Sequence, residues 1–269
     1  MQENEIRKYC ISLRKNILYM GRAGASASAH IGGALSLVEI FGVLFSSFFK
    51  TSSDSFKRDR IILSKGHACL ALYSILYENK LISKKQLDTF EKSESDLLGH
   101  PIKNKKIGID FSTGSLGMGL SLGIGVAISL KKKKIQNKVY VIIGDGECNE
   151  GSIWESAMLA PNLNLENLVV ILDANGYQQT GSTSEILKND NIDEKFRSFG
   201  WNVINVEGHS IQELDKAFKN KNIDNKPKFI YAKTIKGKGI KNFENNNAWH
   251  HSIITSEIYD KCIEELGKK

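Results

Sequence analysis

The sequence has no CxxC pair, no secretory leader, no transmembrane-length apolar run, no internal repeat and no Pro/Ser-rich linker. The four cysteines, Cys10, Cys69, Cys148 and Cys262, are widely scattered, which makes a reducing cytoplasm the expected setting. The N-terminus is polar and charged rather than leader-like. The apolar stretch 35–49 is broken by Ser36, Glu39, Ser46 and Ser47, so it reads as a buried helix from about Leu35 to Phe48 and not as a membrane span. With neither repeats nor a linker, the 269 residues are expected to form one domain, 1–269, opening on a helical segment.

Hydrophobic residues at 41% and charged residues at 25% are ordinary globular usage, which excludes a disordered or fibrous chain. The net charge of +7 is spread along the chain apart from the lysine run 131–134, which reads as a solvated connecting segment. Aromatics are not interleaved with the basic residues, so neither nucleic acid nor membrane is an expected partner.

Ile6, Cys10, Leu13, Ile17, Leu18 and Met20 recur at nearly helical spacing, and 21–29 is a small-residue loop ending at His30. A strand at 60–64 precedes a helix at 68–77. A Gly-rich loop at 112–119 opens a helix at 120–130, where Ser121, Gly123 and Gly125 are expected to allow close packing. The runs 139–143 and 168–172 are unbroken and largely β-branched, with a helix at 152–159 between them. Further strands are expected at 202–206 and 229–234, flanking a helix at 211–218. Buried apolar strands alternating with helices predict one doubly wound parallel-sheet α/β domain.

In such a sheet, ligands bind beyond the carboxyl ends of the strands. Gly144-Asp145-Gly146 follows one strand, and Asn175, after 28 intervening residues, follows the next. Each pair alone is ordinary turn chemistry. Together they bring a carboxylate and an amide oxygen side by side, the hard donors that Mg²⁺ takes alongside phosphate oxygens. The glycines flanking Asp145 let the backbone approach a ligand.

With these residues the chain resembles the transketolase family of thiamine diphosphate enzymes, whose cofactor signature is Gly-Asp-Gly with a later Asn. Ser28-Ala-His-Ile-Gly-Gly33, Ser64-Lys-Gly-His-Ala68, Gly99-His-Pro101, Thr113-Gly-Ser-Leu-Gly117 and Trp249-His250 are similar to family segments in family order. The resemblance implies Asp145, Asn175 and the Tyr177 carbonyl as ligands of Mg²⁺, replaceable by Ca²⁺ or Mn²⁺. It implies Gly146, His67 and His250 at the diphosphate, with Gly114, Ser115 and Leu116 beneath the cofactor's bend. His30, His100 and His250 would handle the protons of sugar hydroxyls, for which imidazole suits neutral pH. Glu150 would join a carboxylate network reaching a partner chain. His209 and His251 match no motif and read as surface or satisfied residues.

The match covers only the family's diphosphate-binding half. It implies an N-terminal subunit that needs a separate C-terminal subunit with the pyrimidine-binding domain and the cofactor-activating glutamate, in a dimer of heterodimers. Sugars or sugar phosphates would be the substrates. Ala29, Ile31 and Met118 depart from the family's Gly, Pro and Gln, which leaves substrate preference open. The alternatives are a 2-oxoacid decarboxylase or dehydrogenase subunit, which shares Gly-Asp-Gly with Asn, and a non-catalytic thiamine diphosphate-binding protein. The segment 236–239, which lacks the phosphate-loop pattern, reads as a mobile loop leading to His250.

Overall fold

The computed structural model describes residues 2–24, 28–52, 54, 56–221 and 224–268; part of the expected loop at 21–29 lies outside them. Strands β1 (Arg60–Leu63), β2 (Val139–Gly144), β3 (Leu168–Ala174), β4 (Asn202–Glu207) and β5 (Lys228–Lys233) form a parallel sheet in the order β1-β2-β3-β5-β4. The helices are α1 (Glu3–Ala23), α2 (Gly32–Leu35), α3 (Val38–Ser47), α4 (Cys69–Glu78), α5 (Lys84–Leu87) and α6 (Met118–Lys132). They continue as α7 (Gly151–Asn162), α8 (Thr183–Ile186), α9 (Ile192–Ser198), α10 (Ile211–Lys219) and α11 (Ser256–Gly267). No helix of the described residues is long and apolar enough to cross a membrane.

Successive strand residues point to opposite faces, and here both faces are covered, which is why the strands read as unbroken apolar runs. Tyr140 and Ile142 of β2 join one core with α1, α3, α4 and α10, while Val139, Val141 and Ile143 join the other with α6, α7 and α9. The doubly wound expectation is met, and β2 and β3 lie at the centre, paired from Val139↔Leu168 to Gly144↔Asp173.

Two expectations of local structure change. The helix expected from about Leu35 to Phe48 is interrupted at Ser36 and Leu37. The Ser36 hydroxyl donates to the Gly33 carbonyl at 3.0 Å and to buried Asp173 at 2.6 Å, so a tertiary contact competes with helical continuity. On α6, Gly123 faces the sheet, where a Cβ would collide with Val141, whereas Ser121 and Gly125 are exposed and no neighbour would crowd a Cβ at Gly125. Close packing therefore belongs to Gly123 and to Gly119, which sits on Ser64.

Candidate functional site

The sheet directs the ends of four strands to one cavity of about 460 Å³, to which Lys65 comes from beyond β1, Asp145 from β2, Asn175 from β3 and Lys236 from β5. His30, His67, His100 and His250 line the same cavity, as do Gly114, Leu116, Gly146, Glu150 and Tyr177. Ser115 is exposed and outside that lining. The convergence at carboxyl ends is the one expected of an open parallel sheet.

Asp145 is the residue before a 3-10 turn, Gly146–Asn149. Its Oδ1 accepts the Gly146 N–H at 2.8 Å and its Oδ2 accepts the Gly176 N–H at 2.6 Å, so the loops after β2 and β3 are tied through one carboxylate. Gly176 has φ +79, a left-handed turn that lets the chain double back after Asn175. The Asn175 amide Nδ2 donates to Asp173 at 3.1 Å, and Oδ1 accepts the Tyr177 N–H at 3.1 Å. This fixes which side of the amide carries the oxygen. Burial, and next the charge of Asp173, push the Asp145 carboxyl up to about 6.

Cationic groups stand opposite. Lys65, buried, forms an ion pair with buried Asp173, whose other oxygen is held by Thr234. Although burial alone would raise it, the Lys65 ammonium brings the Asp173 carboxyl below its ordinary value. Lys236 donates to Asn247 Oδ1 at 2.6 Å and lies 2.8 Å from His250 Nδ1. It pairs with no carboxylate among the described residues, and burial followed by Lys65 lowers its ammonium to about 8.

The imidazoles form one cluster, with the His30 ring centroid 5.4 Å from His67, 5.6 Å from His100, 5.3 Å from His250 and 4.3 Å from His251. Gly114, at φ +142, makes room for it: a Cβ there would stand 2.9 Å from the His100 ring. Burial first, then neighbouring imidazoles and lysines, lower His30 to about 3 and His250 to about 4, and hold His67 well below 6.5. These rings are neutral near pH 7, able to accept at one nitrogen and donate at the other.

That neutrality sets a pH dependence. In the unfolded chain the same histidines protonate near pH 6.5, so their contribution to stability is complete above that value and is lost as pH falls toward their folded pKa values. Asp145 acts with the opposite sign, because its raised carboxyl favours the folded state at low pH and loses that advantage as pH rises through about 6. Since three imidazoles outweigh one carboxyl, the melting temperature should fall when pH is lowered from 7 to 5, and more gently in His30→Asn. A melting temperature that rises over this range would contradict the assignment.

Several residues of the site were not singled out from sequence. Glu147 is buried, accepting the Ser64 hydroxyl, the Gly117 N–H at 2.8 Å and the Gly144 N–H at 3.1 Å; burial raises its carboxyl. Asp173 was the detectable one, an acid within an otherwise apolar strand. His251, read as a surface or satisfied residue, is exposed but lies beside His30 and within 3.1 Å of the Ser28 hydroxyl. His209 is satisfied as expected, 2.8 Å from Glu39 and accepting the Ile235 N–H at 2.8 Å. The expectation of a mobile loop at 236–239 is corrected. Gly237 N–H donates to the Gly32 carbonyl at 3.0 Å, Arg14 Nε to the Lys238 carbonyl at 3.0 Å, and Asn245 N–H to the Lys236 carbonyl at 2.9 Å, which ties the segment down.

Comparison with known proteins agrees with this geometry. The family model "Transketolase, thiamine diphosphate binding domain" matches residues 7–269. One of the two chains of an apulose-4-phosphate transketolase from Phocaeicola vulgatus is 37% identical over 257 residues, covering 94% of this chain and 89% of that protein. The 6-deoxy-6-sulfo-D-fructose transketolase subunit SqwG of a Clostridium species is 36% identical over 272 residues, covering 100% and 96%. The crystal structure of transketolase from Campylobacter jejuni superposes with a TM-score of 0.90 at 29% identity, over 99% of this chain and 43% of that one. This chain thus spans less than half of that longer transketolase and nearly all of the subunits. It belongs to the transketolase family, matching that family's thiamine diphosphate binding domain.

Proposed function

We propose that this chain is the diphosphate-binding subunit of a two-chain transketolase that transfers a two-carbon ketol unit from a ketose or ketose phosphate to an aldose, with residues 1–269 acting as one such domain. The observation that carries the reading is the meeting of Asp145 and Asn175 with the imidazole cluster in one cavity. The names of the two subunit relatives point to sugar phosphates and similar anionic sugars as substrates. The four free, buried thiols fit a reducing cytoplasm.

The residues fit a magnesium diphosphate. No group of three His, Cys, Asp or Glu side chains is placed for a metal among the described residues; the donor set is instead one carboxylate, the Asn175 amide oxygen and the Tyr177 carbonyl, leaving positions for phosphate oxygens and water. Asp145, raised to about 6 without a cation beside it, gains from a divalent ion. Lys236, with no carboxylate partner among the described residues, offers its charge to an anion. His67 and His250 adjoin the two lysines and would contact the diphosphate.

When bound, thiamine diphosphate supplies a carbanion equivalent for the transferred fragment. The chain's own part is to hold and move protons. His30 and His100, neutral or exposed at the mouth, would accept the proton of a donor hydroxyl and return it to the acceptor's oxygen, with His250 assisting. Leu116 and Gly114 would form the floor under the cofactor. Glu150 is exposed at the cavity rim, where it can meet a partner's carboxylates. Exposed Met118, Ile186 and Leu187 suit a covering chain, here the subunit bearing the pyrimidine pocket and the activating glutamate, in a dimer of heterodimers.

Mixing the chain with a candidate pyrimidine-domain chain, thiamine diphosphate, Mg²⁺, a ketose phosphate and an aldose should give ketol transfer. Release of CO₂ from a 2-oxoacid in place of transfer would favour the decarboxylase reading. Cofactor binding with neither reaction would favour a non-catalytic binding protein.

A further inference from the structure

A second compartment of about 360 Å³ opens beside the main cavity and shares His30 and His100 with it. Among the described residues no lysine or arginine lines it, and Glu91 is its one carboxylate. Glu91 is held there by its backbone. It occupies the left-handed region at φ 57, unusual for a glutamate, and its N–H donates to the Leu97 carbonyl at 3.0 Å. A carboxylate oxygen of Glu91 lies 2.5 Å from where a Cβ on Gly99 would stand, so the bare glycine is what admits it. Cys69 Sγ, another wall, donates to the Gly99 carbonyl at 3.1 Å and fixes that floor. The Glu91 carboxylate has no hydrogen-bond or ion-pair partner among the described residues.

The chemistry of the walls selects a ligand. Imidazoles at His30, His100 and His251 and the Ser28 hydroxyl can donate or accept, and Glu91 accepts only. A hydroxyl-bearing sugar chain satisfies all of them. A phosphate, sulfonate or carboxylate entering the compartment would meet a like charge with no cation to offset it.

We propose that this compartment seats the uncharged, hydroxyl-bearing end of the sugar, and that Glu91 is a specificity residue that accepts its hydroxyls and turns anionic groups away. The proposal rests on the transketolase reading. The anionic group of a charged substrate then has to lie outside this compartment.

The test compares kcat/KM of the assembled enzyme for D-glyceraldehyde and D-glyceraldehyde 3-phosphate as acceptors, in the native protein, Glu91→Gln and Glu91→Lys. Glu91→Lys should shift the ratio toward the phosphorylated acceptor by about tenfold or more. Glu91→Gln should narrow the discrimination and raise KM for the neutral aldose with little change in kcat. An unaltered melting temperature of Glu91→Gln shows that the site is intact. If both variants keep transferring ketol units with the native ratio, Glu91 does not set specificity, while the transketolase reading stands. If the native assembly transfers nothing, that reading fails first. Saturation-transfer NMR of the two aldoses on this chain then decides the compartment separately: loss of the neutral aldose's signal in Glu91→Lys supports it, and an unchanged signal overturns it.

Discussion

Asp145→Asn is expected to weaken Mg²⁺-dependent binding of thiamine diphosphate to the assembled enzyme by about 100-fold or more, since changes even to residues behind metal ligands cost about 10–100-fold. The other two carboxylates at the cavity cannot substitute. Glu147 is occupied by Ser64 and two backbone N–H groups, and Glu150 faces outward at the rim. The same substitution should stabilise the chain without ligands. Asp145 is buried with its carboxyl raised to about 6, so near pH 8 its ionisation costs the folded state on the order of 1–3 kcal/mol. Asparagine removes that charge while keeping an oxygen for one of the two N–H donors. Calorimetry with cofactor and metal, paired with thermal melting of the free chain, reads both effects. Native-like affinity in the variant would remove Asp145 from the metal site.

Lys65→Met should cost about 3–5 kcal/mol in urea unfolding, because it leaves the Asp173 carboxylate buried without its cation. Ser36, Thr234 and Asn175 still donate to Asp173 in the variant, which sets the lower end of that range. The pH dependence identifies the cause. In the native chain the lowered Asp173 carboxyl contributes stability above the unfolded value of 3.8 and loses it as pH falls through the folded value. Without Lys65 the sign reverses, since a buried unpaired carboxyl is raised, so the deficit should shrink as pH is lowered. Adding Asp173→Leu should recover part of the loss. A deficit under about 1 kcal/mol would mean that solvent or another donor reaches Asp173.

Both predictions depend on contacts that join in space what the chain keeps far apart. Lys65 and Asp173 are 108 positions apart, and Ser36 and Asp173 are 137 apart. No periodicity reports such pairs, and the family resemblance contains Lys65 and Lys236 only as letters of a motif, with no role attached to either. The helix expected from Leu35 to Phe48 failed for the same reason, because its local pattern carried no trace of the bond from Ser36 to β3.

The sequence by itself determined the parallel sheet, since strands buried on both faces must be continuously apolar, and it determined the family, since Gly144-Asp145-Gly146, Asn175 and the histidine loops stand in fixed order. It also placed Asp145 and Asn175 beyond strand ends, because a strand-helix-strand crossover leaves little choice. The tertiary structure alone decided what surrounds them. Lys65 and Lys236 face the same cavity, His251 joins the imidazoles, Glu147 is satisfied internally, and Glu91 stands in a compartment without a cation. The physical reason is range: apolar patterning and turn chemistry act over a few residues, whereas burial and charge depend on which distant segments the sheet order brings together.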